Sequence, residues 1–224
     1  MYKRQGYDVF VSDAPERGRA SWAMYPQVYD SAPIFRSKEE AWRLFRIGPA
    51  SGYAPAGQPR HAYPAQQFPI ESFDTFAKQF VPRWLTHGDM ALDAYRQLLE
   101  LAGPCIVFGH SQGGGFATLL AHEYAATVRA VVALEPTGTP AAVPWQLPPH
   151  LLVWGDHFQA DETWLRYRAQ TDAYWRALRA AGVRAEALDL PAAGIAGNSH
   201  FCMLDRNSDQ IAGLIVDWLD RSLD

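Results

Sequence analysis

Two cysteines in 224 residues are too few for a disulfide framework. No CxxC pair or Cys/His spacing of a zinc site occurs, so neither a metal nor an organic cofactor is implied. No apolar run approaches the roughly 20 residues that span a bilayer. Neither sign of charge dominates: 20 Lys and Arg stand against 24 Asp and Glu, for a net charge of −4. Such a balance gives no reason to expect nucleic acid or an anionic membrane as partner. Cys105 opens an apolar run and reads as a buried thiol, and no bond to Cys202 is expected. An apolar signal segment is missing after Met1–Gln5 as well. That pentapeptide resembles a translated sequencing-library adapter, so the chain reads as a truncated frame whose compartment is undefined.

Present instead is the composition of a globular domain, 48% hydrophobic and 13% aromatic, long enough for one sizeable core. Residues 7–12 read as a short strand. Residues 26–69 are rich in Pro and Gly without a clean period, interrupted by an amphipathic stretch at 38–45, and an irregular insertion of that length is usually functional. Phe73, Phe76, Phe80 and Trp84 recur at helical spacing, so residues 70–84 read as a helix that Pro82 kinks or ends, its rings mostly core. Beyond it, helical patterns at 89–101, 111–126, 161–181 and 207–223 alternate with strand patterns at 105–108, 128–134, 151–154 and 185–190. The run 105–108, apolar throughout, reads as a parallel strand buried on both faces. Five strands alternating with helices define an α/β protein with a mostly parallel sheet and helices on both faces. No repeat or linker divides it.

Between the strand at 105–108 and the helix that follows lies Gly109-His110-Ser111-Gln112-Gly113, a G-x-S-x-G sequence. The pattern alone is weak, but strand before and helix after are the context that gives it meaning. A tight strand-to-helix turn lifts the Ser111 hydroxyl above the sheet, and flanking glycines let the backbone close on itself. The helix start behind it directs N–H groups, Gln112 among them, at a developing oxyanion.

These features resemble the α/β-hydrolase fold from its fourth strand onward. Residues 7–13 resemble strand four, and Asp13-Ala14-Pro15-Glu16-Arg17-Gly18-Arg19-Ala20-Ser21 resembles the D-x-P-G-x-G-x-S loop after it, with Glu16 where the family often has Gly. The resemblance implies that strands one to three, and the loop carrying HGGG-type oxyanion donors, are missing. The Pro- and aromatic-rich segment 27–84 is expected to form a cap inserted within this single domain.

A serine nucleophile needs a base, and this fold supplies it in the order Ser, acid, His. His200, after the last strand in Gly-Asn-Ser-His-Phe, is the candidate. His110 lies inside the elbow, His122 in its helix, His61 and His87 in or beside the insertion, and His150 and His157 flank the strand at 151–154. For the acid, Trp154-Gly155-Asp156-His157-Phe158 puts Phe158 where a W-G-x-x-D pattern has Asp. Glu135, at the carboxyl end of the strand at 128–134, is costly to bury without a cationic partner. A group of bacterial esterases is similar in taking a Glu from this place, and Glu135 is preferred over Asp156. The expectation is a serine hydrolase of small carboxylic esters working through Ser111, His200 and Glu135 and an acyl-enzyme. An acyltransferase on the same residues, or a catalytically silent binding member of the fold, remains open.

Overall fold

The computed structural model of the chain describes residues 7–15, 17, 18, 20, 31–144 and 146–223. The sheet has four parallel strands in the order β1-β2-β3-β4: β1 (Cys105–His110), β2 (Val128–Leu134), β3 (His150–Trp154) and β4 (Ala185–Asp189). The two central strands, Val-Arg-Ala-Val-Val-Ala-Leu and His-Leu-Leu-Val-Trp, are buried nearly throughout, as parallel strands covered on both faces must be. Strand β1 differs from its sequence reading. It lies at the edge of the sheet, half-buried, with Phe108 38% exposed.

The fifth expected strand, residues 7–12, is not formed. A β-ladder requires a neighbour. Among the described residues none pairs with the outer edge of β1, and Phe10 and Val11 are 84% and 75% exposed. A short β-rich run does not by itself make a strand, which forms only by pairing in a ladder. Met1–Gln5, Glu16, Arg19, Ser21 and residues 27–30 lie outside the described residues.

The first two helices lie before residue 84. Helix α1 (Lys38–Leu44) is capped by the Ser37 side chain, which accepts from Glu40 N at 3.0 Å. Helix α2 (Phe73–Ala77) is shorter than the aromatic spacing predicts, ending before Phe80, Pro82 and Trp84. Those rings pack from irregular backbone, so the period reflected packing rather than one continuous helix. Trp42, Ile47, Phe68 and Phe73 form a separate apolar cluster, each large ring contributing about 2–3 kcal/mol on burial.

The remaining helices sandwich the sheet: α3 (Gly88–Ala102), α4 (Gln112–Glu123), α5 (Glu162–Ala180) and α6 (Ser208–Leu223). Side chains of β2 alternate between faces. Val131 and Ala133 meet Ala117 and Leu120 of α4 and Leu178 of α5, while Val132 and Leu134 meet Ile211, Ile215 and Trp218 of α6. Cys105 and Cys202 are free thiols.

One polar chain threads the α4–α5 side of the core. His150 Nδ1 lies 2.8 Å from Pro148 O, Tyr174 Oη 3.1 Å from His150 Nε2, and His122 Nε2 3.0 Å from Tyr174 Oη. Because the Pro148 carbonyl only accepts, His150 donates through Nδ1 and accepts from Tyr174 at Nε2, and His122 donates to Tyr174. Burial holds His150 down to about 4. As pH falls from about 6.5 to 4 the unfolded chain takes up this proton while the native state does not, so stability declines across that window. Thermal melts from pH 7 to pH 4 should show a shallower decline for His150→Gln, by up to one proton. An unchanged slope would remove the network from the acid response.

Two glycines should respond oppositely to alanine. In α4, a Cβ on Gly115 would stand 2.0 Å from Thr137 O, a backbone atom with nowhere to move. In α6, Gly213 faces open space. Urea unfolding should show Gly115→Ala losing about 2 kcal/mol or more and Gly213→Ala gaining about 0.5–1 kcal/mol.

Candidate active site

The site forms beyond the carboxyl ends of β1, β2 and β3, where α/β sheets open a crevice. The β1–β2 register pairs His110 with Leu134, so Ser111 and Glu135 leave adjacent strands side by side. Both have left-handed backbone angles, φ 55° at Ser111 and 48° at Glu135, uncommon for residues with a Cβ and concentrated at functional positions. Ser111 N donates to Leu134 O at 2.9 Å, and Ser111 O accepts from Gly114 N at 3.0 Å and Thr137 N at 3.1 Å. The turn is thus tied to both strands.

The glycines around the serine divide their tasks differently from the motif. A Cβ on Gly109 would lie 2.2 Å from Gly113 O, so its absence is obligatory. Gly113 itself has open space. Close approach to the loop after β2 is made by Gly114 and Gly115, against Pro136 and Thr137. Gln112 is the first residue of α4, and its N–H is one of the donors a helix start leaves without an intrahelical partner.

Glu135 is fully buried and accepts three hydrogen bonds. His200 Nδ1 approaches Oε2 at 2.9 Å, Gly155 N donates to Oε1 at 2.7 Å, and Arg46 Nη2 donates to Oε1. Burial alone would raise this carboxyl. The Arg46 charge and the His200 hydrogen bond outweigh it and hold the group below the usual carboxylate range. His200 is lowered, first by burial and then by Arg46, against the pull of Glu135. Its imidazole is therefore neutral near pH 7, with Nδ1 donating to the carboxylate.

Asp156 is elsewhere engaged. Its Oδ1 accepts from His157 N at 2.7 Å and its Oδ2 from Gly197 N at 2.9 Å, while Asp156 N donates to Asn198 O at 2.9 Å. It ties the end of β3 to the loop that carries His200. The same loop is held from below by Asp205, whose carboxylate accepts from Ser199 Oγ at 2.7 Å, Ser199 N at 2.8 Å and Asn198 Nδ2 at 2.9 Å. His110, placed in the elbow by sequence, meets His200 O through Nε2 at 2.8 Å, and burial takes it down to about 3, so it stays neutral and donates.

The His200 ring is walled by aromatic neighbours. Trp164 and Phe201 lie 4.3 and 5.1 Å away between centroids, and Phe45 stacks on it at 5.8 Å. Arg46, Asp205 and Trp164 escaped the sequence reading, because nothing local to them marks a site. Among the described residues, no cluster of His, Cys, Asp and Glu could hold a metal ion, and no helix is long and apolar enough to cross a membrane.

The chain belongs to the α/β-hydrolase fold family, whose model matches residues 3–196. Among curated proteins it is similar to the "Probable secreted lipase phiG" of Fungal sp. (strain ATCC 74256), at 23% identity over 96% of this chain and 73% of that one. Among solved structures it is similar to a novel bacterial esterase, at 30% identity and a TM-score of 0.72, covering 88% of this chain. The chain spans 62% of that esterase's length.

Removing the Asp205 carboxylate should strand three donors in the interior, each costing about 1–3 kcal/mol. Asp205→Ala is expected to lose at least about 3 kcal/mol in urea unfolding, and a loss under 1 kcal/mol would mean that the loop is held by other contacts.

Proposed function

We propose that the chain carries the serine-hydrolase chemistry of a carboxylic ester hydrolase, acting on small-molecule esters through Ser111, His200 and Glu135. The observation that carries this reading is the 2.9 Å contact between the His200 ring and the buried Glu135 carboxylate, beside a serine on a strained strand-to-helix turn. The names of the similar lipase and esterase support it.

In this reading the neutral His200 takes the Ser111 proton as the hydroxyl attacks the ester carbonyl. Glu135 fixes the tautomer by accepting from Nδ1 and stabilises the imidazolium that forms. The Gln112 N–H, at the positive end of α4, faces the developing oxyanion. His200 then returns the proton to the leaving alcohol, and water, activated in the same way, releases the acid. The segment 27–84 acts as a cap within the same domain, since its own apolar cluster rests beside the His200 loop. Gln67 N donates to Gly197 O at 2.8 Å, and Arg206 N donates to Gln67 O at 2.9 Å.

Short-chain p-nitrophenyl esters and a fluorophosphonate probe test the assignment on the 224-residue chain. Ser111→Ala should abolish both turnover and labelling, a loss of about 10⁶ in kcat. Glu135→Gln should lower kcat by about 10²–10⁴, whereas Asp156→Asn, with its N–H acceptors partly kept, should lose less than tenfold. A wild-type chain that neither turns over nor labels would end the proposal. If Asp156→Asn abolished turnover and Glu135→Gln spared it, the acid would be reassigned.

A further inference from the structure

Arg46 is nearly fully buried, yet it comes from the insertion rather than from the sheet that carries the site. It ends α1 in an unusual way. Arg46 N donates to Arg43 O at 3.0 Å and Ile47 N to Trp42 O at 3.1 Å, and Ile47 packs with Trp42 in one apolar cluster. That is a Schellman turn, whose left-handed position is ordinarily glycine. Here it is Arg46, at φ 56°. A side chain kept where glycine is the unstrained choice points to a use for that side chain.

Its contacts supply the use. Arg46 Nη2 donates to Glu135 Oε1, Nε donates to Asp156 O at 2.7 Å, and the guanidinium lies over the Trp164 ring at 4.8 Å. The residues before it engage the same neighbours. Phe45 O accepts from His200 N at 3.0 Å, and Leu44 O accepts from Trp164 Nε1 at 2.6 Å. Three successive residues of the insertion therefore grip the histidine, its carboxylate and the wall beside them.

We infer that Arg46 is a positioning residue for the His200–Glu135 pair: from the insertion, it fixes the Glu135 carboxylate and sets the basicity of His200. This rests on the reading of Ser111 and His200 as nucleophile and base. Other groups face the pair. Arg36 bears on His200 electrostatically, the His110 ring lies 4.4 Å away, and the Cys202 thiol and Asp205 both feel the Glu135 charge. Burial raises the Cys202 thiol, which stays neutral, and burial lowers His110, which does too. Arg46 is the cation that shares the carboxylate with His200, so its removal should leave the imidazole beside an uncompensated negative charge and make it more basic.

Arg46→Gly and Arg46→Lys test this. Glycine suits the left-handed turn and removes only the side chain, so the fold should survive, as far-UV circular dichroism would report. The rate of fluorophosphonate labelling is followed against pH; the Ser111 Oγ–P bond forms, the P–F bond breaks, and His200 takes the proton as fluoride leaves. In Arg46→Gly the acid limb should move to higher pH by about one unit and the plateau rate should fall at least tenfold, while Arg46→Lys restores most of the limb. NMR titration of the His200 ring nitrogens should show the same displacement without any reaction. An unmoved His200 titration in folded Arg46→Gly overturns the inference, and so does an Arg46→Gly chain that fails to fold, because the side chain would then be structural. Ser111→Ala distinguishes the two readings: labelling that persists there overturns the nucleophile assignment, while the NMR titration still judges Arg46.

Discussion

The arrangement depends on one buried negative charge. Moving a carboxylate such as that of Glu135 out of water costs several kcal/mol even after relaxation. That cost is offset only by the donors that converge on it: the His200 ring, the Gly155 N–H and the Arg46 guanidinium. Charge-assisted hydrogen bonds contribute about 1.5–3 kcal/mol each, so three of them are of the right size and one would not be. The carboxylate consequently dictates where three otherwise unrelated pieces of chain must meet: the turn after β3, the loop before α6 and the turn after α1.

Each of those pieces is prepared for the meeting by its own backbone. Gly155 has no room for a side chain, since a Cβ there would stand 2.8 Å from Glu135 Oε1. The His200 loop is fixed twice, by Asp156 through Gly197 N and by Asp205 through Ser199 and Asn198. Arg46 accepts a left-handed conformation to aim its guanidinium. Rigidity at the site thus comes from hydrogen-bonded turns around it, and left-handed backbone at Ser111, Glu135 and Arg46 aims three side chains; His157, in the turn after β3, is left-handed as well.

The segment 31–84 is bound into this scheme. It has its own apolar cluster around Trp42 and Phe73, yet its main chain and side chains bond the His200 loop at several points. In the proposed enzyme, a change in the cap would reach the base and acid through Phe45 and Arg46 as well as through the shape of the pocket.

Much of the fold was legible in the sequence, because local pattern governed it. The apolar runs of β2 and β3 are buried on both faces and could be little else, and α3, α5 and α6 carry long periodic stripes. The elbow was legible for the same reason: Gly109 is forced by a contact with Gly113, four residues on. Glu135 and His200 could be named as candidates because each follows a strand end, but their contact joins residues 65 positions apart and only the folded sheet brings it about. The strand expected at residues 7–12 failed because hydrogen bonding in a sheet depends on a neighbour, which no local pattern contains. The helix expected at 70–84 shrank because aromatic spacing records what must be buried and not the backbone that buries it. Arg46 was invisible, since the sequence showed an arginine after a short helix and nothing of the charge it would meet. What the sequence determined by itself was the alternation of elements and the serine turn, both set by contacts a few residues long. What the tertiary structure decided was which charges share the interior, because the cost of burying a charge depends on everything packed around it.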